Sequence, residues 1–281
     1  MDRPVQPGHP GEPRGPMNAP PATNERRFGG VARLYGQDAI DRLNDARVAV
    51  VGIGGVGSWT AEALARSAVG SLTLVDLDMI AESNVNRQIH ALEGEFGRAK
   101  VTAMAERIRS INPACRVTGI EDFVTRDNVA AILRDDLDYI VDATDQVYTK
   151  AAMIAWARGV SVPLITAGGA GGQTDPTRIR VADLAQTIQD PLLSRVRALL
   201  RRHHGFTREP GKRFGVTAVF SSEPLKRPAG ADACAPRAAP AGLNCAGFGS
   251  SVCVTASFGL HAAGVVLNAL VSRSPAAAAQ G

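Results

Sequence analysis

Cysteine is scarce in this chain, and what there is does not pair. The 281 residues hold four cysteines, Cys115, Cys234, Cys245 and Cys253, and none stands in a C-x-x-C pair. A zinc clip of paired cysteines is thereby excluded. A disulfide framework is out of place in a chain of this length without a secretory signal. The expected compartment is reducing and cytoplasmic. The N-terminus has no apolar segment of the kind a targeting signal needs; residues 1–25 are rich in Pro and Gly. Such a stretch cannot bury enough apolar surface to offset its ordering entropy, so 1–25 is expected to be a disordered tail. Residues 272–281 (ending PAAAAQG) are expected to be another. Aromatics make up only 5% of the chain. Phe206 and Phe214, beside its most basic stretch, are too few for a platform that stacks single-stranded nucleic acid. One long apolar run occurs, at 252–271. It is nearly long enough to span a bilayer, but His261, Asn268 and several small residues favour a buried core helix. No stable membrane insertion is expected, and there are no internal repeats.

Apolar residues nevertheless reach 45%, enough for a sizeable core. RVAVVG (47–52) has the form of a buried parallel strand running into glycines. Helical spacing follows over 56–68 through Ala61, Leu64 and Ala68. A second strand, 72–77, ends in acid. Helical spacing over 97–111 stops at Asn112-Pro113. Strands are predicted near 115–120, 138–142 and 161–166, with a helix at 146–158. This alternation predicts an α/β fold, a Rossmann-like, doubly wound, mostly parallel sheet covered on both faces. The domain is expected to cover 26–271, with a nucleotide-binding half up to about 165 and a substrate or crossover half beyond it. In that C-terminal elaboration, 166–177 is a glycine-rich loop, RIRVADL a strand and 191–202 a basic amphipathic helix. Residues 203–250, rich in Gly, Pro and Ala, are expected to be irregular, a flexible crossover loop.

The chemistry begins at Gly52-Ile53-Gly54-Gly55-Val56-Gly57. Glycines between a strand and a helix let backbone approach a phosphate, and the helix start offers free N–H groups. Asp76 ends the next strand, where a carboxylate can accept a bond from a ribose hydroxyl. With strand, glycines, helix and acid in register, a glycine turn without a ligand is the weaker interpretation. SNVNRQ (83–88) and Lys100 then turn the expectation away from a redox cofactor. Arg87 and Lys100 bring two cations to an edge where a dinucleotide needs few, whereas a triphosphate under cleavage needs its charge neutralised. Asp142 and Asp145, in VDATDQ, close the fourth strand at the same edge, where a carboxylate can hold Mg2+ bridging phosphates. Singly, each is an ordinary surface charge. Together they gather at the topological switch point of the sheet.

These motifs, GxGGxG, the acid ending the next strand, SNxNRQ, the later lysine and TDxxxxK, resemble the ThiF-type superfamily, which includes the ubiquitin-activating enzymes. The resemblance implies an ATP-dependent, AMP-forming enzyme that adenylates a carboxylate. It implies that Gly52, Gly54, Gly55, Gly57 and Asp76 hold the nucleotide, and that Asn84, Arg87 and Lys100 hold the phosphates. Asp145 would serve Mg2+ and the adenylate. RFGGVARLYG (27–36), NRQIHAL (86–92), RIRSINP (107–113), TAGGAGGQTDPT (166–177) and DLAQTIQDPL (183–192) are similar to the branch of the superfamily that dehydrates threonylcarbamoyladenosine in tRNA. That likeness covers roughly 26–270 and implies adenylation and ring closure at position 37 of tRNA. It also implies a homodimer in which Arg27 or Arg33 enters the partner's site. An alkali cation (K+ or Na+) and a sulfur-transfer accessory protein belong to the same expectation, without ligands or contacts that can be named. Cys245 lies where that branch often has a cysteine, though a small buried thiol is at least as good an account.

A nearly single-signed run, Arg195, Arg197, Arg201, Arg202, His203, His204, Arg208, Lys212 and Arg213, contains one acid, Glu209. A solvated helix face is the bland account. Continuation into an irregular loop favours contact with a tRNA phosphate backbone, through Arg195, Arg197, Arg201, Arg202, Arg208, Lys212 and Arg213. His203 and His204 have no metal partners in sequence, and His90 and His261 are expected to be structural. Three rivals stay open: an adenylyltransferase for a ubiquitin-like sulfur carrier, an NAD-dependent oxidoreductase and a nucleotide-sensing scaffold on tRNA. The missing C-x-x-C pairs count against the first, and the Asn84/Arg87/Lys100 set is unexplained by the second.

Overall fold

The computed structural model describes residues 24–226 and 248–272. The expected tails fall almost entirely outside them, as do Cys234, Cys245 and much of the expected crossover loop. Two helices open the fold, α1 (Asn24–Tyr35) and α2 (Gln37–Asp45), in a region where no element was predicted. Then follow β1 (Arg47–Val51), α3 (Gly57–Arg66), β2 (Ser71–Val75), α4 (Lys100–Ile111), β3 (Arg116–Ile120) and the single turn α5 (Val129–Ile132). The chain continues through β4 (Tyr139–Asp142), α6 (Val147–Gly159), β5 (Leu164–Ala167), β6 (Ile179–Asp183), α7 (Pro191–His203), β7 (Thr217–Ser221) and α8 (Val252–Val271).

The strands form one sheet in the order β3-β2-β1-β4-β5-β7-β6. All neighbours are parallel except β6, which runs antiparallel to β7 at the edge. The chain winds outward from β1 to β3, then returns to start β4 on the other side of β1. The loops after β1 and β4 therefore part from each other and leave a crevice at their carboxyl ends. Two expectations need correction. The helix predicted from 97 begins at Lys100. The stretch expected to be irregular contains β7, with Ala218, Val219 and Phe220 buried between β5 and β6. Gly215, at φ 72°, turns the chain into this short apolar strand. The Gly-, Pro- and Ala-rich composition of the residues after it hid it in the sequence.

Apolar residues on both strand faces make the two-sided core. Val48 and Val50 pack with Leu64 of α3, Met104 of α4 and Phe258 of α8. Ala49 and Val51, one residue out of phase, pack with Ile154 of α6 and Leu193 and Val196 of α7. Each fully buried aliphatic chain contributes roughly 1.5–3 kcal/mol. Among the described residues, α8 is the one helix long and apolar enough to cross a membrane. Here it is a core helix against α3: Thr60 Oγ1 donates to the Gly259 carbonyl at 3.1 Å.

His90 is buried, and neither ring nitrogen has a partner among the described residues. Burial first, then the charges of Lys100 and Arg107, hold its pKa down at about 4. The unfolded chain takes up this proton near pH 6.5 and the folded chain only near pH 4, so stability is lost as pH falls through that window, by about 3 kcal/mol. A His90→Leu variant should lack this share of the acid loss, read from urea midpoints at pH 7 and pH 4.5.

Candidate functional site

A cavity of about 320 Å3 opens at the carboxyl ends of β1, β2, β4 and β5. Gly52, Gly54, Gly55, Asp76, Asn84, Arg87, Lys100 and Asp145, all singled out in sequence, line it. Gly57 does not. It lies beneath the loop, where a Cβ would overlap the carbonyl oxygen of Gly52. Gly52 sits at φ 88°, a backbone that L side chains rarely adopt, and a Cβ there would meet the Ala143 carbonyl oxygen at 2.8 Å. No side chain caps the start of α3, which follows Gly54, Gly55 and Val56 on the cavity wall; its Ser58 N–H donates to the Gly54 carbonyl at 3.1 Å.

Asp76 pins this loop. One carboxylate oxygen accepts the Ile53 N–H at 2.6 Å and the other the Asp78 N–H at 2.9 Å. Burial raises its pKa above the ordinary value, and Lys100 opposes the shift. Lys100 Nζ stands 2.7 Å from Asp78 Oδ2 and 3.8 Å from Asp76 Oδ1. Asp78 is 60% exposed, so the lysine can exchange this partner for an entering phosphate. Asn84 is buried, and its Oδ1 accepts the Ala81 N–H at 3.0 Å. Arg87 is held by neutral groups: Nη1 donates to the Ser83 carbonyl at 2.8 Å and to Asn86 Oδ1 at 2.9 Å. The Trp59 indole donates to the Arg87 carbonyl at 2.9 Å and fixes its backbone. No described carboxylate neutralises Arg87, and burial lowers its pKa.

Asp145 is half-buried on the cavity wall, with no partner among the described residues. Asp142 does not share this role, contrary to the expectation that either carboxylate could hold Mg2+. It is fully buried: Oδ2 meets Lys150 Nζ at 3.1 Å and the Thr166 hydroxyl at 2.7 Å, while Oδ1 accepts from Thr144 N–H and Oγ1. Among the described residues no three His, Cys, Asp or Glu gather as a metal cage. A single carboxylate still suits Mg2+ that arrives on phosphates, because that ion keeps phosphate and water ligands.

Lys150 and Asp190 stood in the sequence only as members of TDxxxxK and DLAQTIQDPL, without a supporting role. Both lie under the wall and are buried. Asp190 Oδ2 accepts the Gly169 N–H at 2.9 Å, and Oδ1 caps α7 through the Leu193 N–H at 2.8 Å. Burial pushes the Asp190 carboxyl up. Through Asp142, Lys150 thus supports the turn that carries Asp145. Lys150→Met should cost about 3–5 kcal/mol, because it strands a buried carboxylate. Adding Asp142→Asn should restore much of that, as seen in denaturation midpoints. Gln88 and Thr255 were given no role in sequence either. Both line the cavity, both are buried, and Gln88 Oε1 and Thr255 Oγ1 lack partners among the described residues.

The basic stretch divides. Arg195, Arg202, Arg208 and Arg213 are exposed, and Lys212 pairs with Glu209 at 2.6 Å. Arg197 is instead bonded to Thr187, and Arg201 donates to the Thr207 carbonyl at 3.2 Å and lies over the Phe214 ring. Phe206 and Phe214 are buried, packed ring to ring at 5.0 Å. Arg158, outside the stretch, covers Phe206 at 3.8 Å. Near the N-terminus, Arg27 donates to the Ile111 carbonyl at 2.8 Å, whereas Arg33 is exposed and makes no such bond among the described residues. Cys115 is buried, which pushes its thiol up to about 11. His261 is exposed, bonded to the Ser257 carbonyl of its own helix.

A glycine turn at an uncapped helix start, an acid beside it and two cations across a switch-point crevice define a nucleotide-binding α/β protein equipped for phosphate chemistry. The comparisons narrow that class. The chain belongs to the ThiF family, whose sequence model matches residues 29–222. It is 50% identical over 254 residues to the tRNA threonylcarbamoyladenosine dehydratase of Escherichia coli K12, covering 89% of this chain and 95% of that one. The Haemophilus influenzae protein of the same name is 47% identical over 250 residues, with the same shares. Crystal structures of the E. coli enzyme with ATP and with AMP each match at TM-score 0.80 and 48% identity, over 92% of this chain and 97% of theirs.

Proposed function

We propose that this protein uses ATP to dehydrate N6-threonylcarbamoyladenosine at position 37 of tRNA. The observation that carries the reading is the cavity itself, with Arg87 and Lys100 set opposite Asp145 around an uncapped glycine loop. A threonyl carboxylate oxygen attacks the α-phosphorus of ATP, and the bond to pyrophosphate breaks. The modification's own nitrogen or oxygen then attacks the acyl carbon, loses a proton and expels AMP, which keeps the carboxylate oxygen. No protein nucleophile is needed, since the attacking atom is already in the substrate. Gly52, Gly54, Gly55 and Asp76 bind the nucleotide, and Asn84, Arg87 and Lys100 steady the phosphate charge as it moves. Asp145 would hold Mg2+ arriving with the triphosphate, and the ion would supply charge to offset that of the phosphates. The enzyme works as a cytoplasmic homodimer. Arg27 is engaged within its own chain, which favours Arg33 over Arg27 for the partner's site.

The exposed arginines, Arg195, Arg202, Arg208 and Arg213, form the tRNA-facing surface, and binding weakens steeply with salt. Nucleotide products test the reading. ATP should yield AMP and pyrophosphate, not ADP, and only with tRNA that carries the modification. Pyrophosphate exchange driven by a carrier protein with a Gly-Gly tail would favour the sulfur-carrier rival instead.

A further inference from the structure

A second helix begins at the cavity, and the proposed reaction gives it no work. Ser250 and Thr255 bring the start of α8 to the wall, next to Gly55 and Arg87. Close packing sets this position. At Gly259 a Cβ would stand 2.5 Å from the Val56 carbonyl oxygen and 3.0 Å from the Thr60 N–H nitrogen. Only a backbone without a side chain lets α8 lie that near α3. One turn earlier, a Cβ on Gly55 would touch the Thr255 Cβ at 3.4 Å. The two helices therefore bring their N-terminal ends to neighbouring parts of one cavity. Asn86 steadies the entry to α8, its Nδ2 donating to the Ser250 carbonyl at 3.1 Å.

The groups at this end are unspent. Ser251 precedes α8 without a capping side-chain bond. Val254 and Thr255 N–H donate to the Ser251 carbonyl, whereas those of Val252 and Cys253 meet no described acceptor. A helix start in this state attracts anions. The independent observation is Thr255. It is 3% exposed, lines the cavity, and its hydroxyl has no partner among the described residues. A helical threonine can bond the carbonyl four residues back; this one does not. A buried hydroxyl without a partner is costly in the free protein, which points to a ligand that satisfies it.

We propose that the first turn of α8, with the Thr255 hydroxyl, is a second anion subsite that takes the terminal phosphates of the triphosphate. A polyphosphate can span two adjacent helix starts with Arg87 between them, which a single carboxylate cannot. The subsite rests on the reading of the cavity as an ATP site. It makes ATP bind through both helices and AMP through α3 alone.

The test is calorimetric titration of the full chain with ATP and with AMP, both with Mg2+, for wild type, Thr255→Val and Thr255→Ser. Thr255→Val should weaken ATP binding about tenfold or more and leave AMP binding unchanged. Thr255→Ser should keep wild-type ATP affinity. Because the hydroxyl is unpaired in the free protein, Thr255→Val should not lower the unliganded unfolding temperature. Equal ATP binding by wild type and Thr255→Val overturns the subsite and leaves the ATP reading standing. A rise in KM for the modified tRNA at unchanged ATP affinity overturns the phosphate assignment and gives the subsite to the substrate carboxylate. A wild-type protein that binds no adenine nucleotide overturns both the subsite and the reading beneath it.

Discussion

Arg87→Ala should lower AMP formation at least about a hundredfold while the protein keeps its fold. The guanidinium makes no ion pair among the described residues, and its Nη1 donates only to the Ser83 carbonyl and the Asn86 side chain. Losing those bonds costs about 1 kcal/mol of stability, a small share of the whole. The loss in rate is larger because the cation meets charge that moves as pyrophosphate departs. If it acts mainly there, kcat falls more than affinity for ATP. Arg87→Lys should recover only part of the rate, since an ammonium lacks the planar fork that grips phosphate oxygens. Steady-state assay and an unfolding midpoint on the same preparation check both halves. Near-normal turnover in Arg87→Ala would take the phosphates away from this residue.

Gly57→Ala and Gly55→Ala should fail in different ways, although both change one glycine of the same motif. At Gly57 the new methyl overlaps the carbonyl oxygen of Gly52, and it also comes 3.2 Å from the Ala143 Cβ. Backbone cannot swing aside, so the loop and the start of α3 must shift together, at about 3 kcal/mol or more. At Gly55 the methyl meets the Arg87 side chain at 3.1 Å. That chain is flexible, so the fold survives and the cation is displaced. Urea midpoints should therefore fall sharply for Gly57→Ala and little for Gly55→Ala. ATP turnover should fall for both. A stable Gly57→Ala protein would mean that the close approach under the loop is not needed.

The site was legible where chemistry is local in sequence. Gly52, Gly54, Gly55, Asp76, Arg87, Lys100 and Asp145 all lie beyond strand ends at one edge of a parallel sheet, and the fold gathers them at one cavity. What the spacing could not give is which carboxylate is spent on structure. Asp142 and Asp145 are three residues apart, yet Asp142 ends β4 in the core against Lys150, whereas Asp145 stands on the turn beyond the strand and on the wall. Thr255 carried no local signal either, because its place depends on α8 packing against α3 from the far end of the chain. The basic run misled in a related way. Helical periodicity turns Arg197 and Arg201 partly inward, so one run of residues is not one face. β7 was missed because a five-residue strand between a glycine turn and a long Gly-, Pro- and Ala-rich stretch has no periodicity of its own to show.

The central claim is that one cavity adenylates a carboxylate on tRNA and lets the substrate displace AMP from it. Mass spectrometry of the nucleosides answers it, after purified protein, ATP and Mg2+ are incubated with tRNA bearing threonylcarbamoyladenosine. The modified nucleoside should lose the mass of one water, with one AMP formed for each nucleoside changed. An unchanged nucleoside alongside normal ATP binding, or a mass change without AMP, would contradict it.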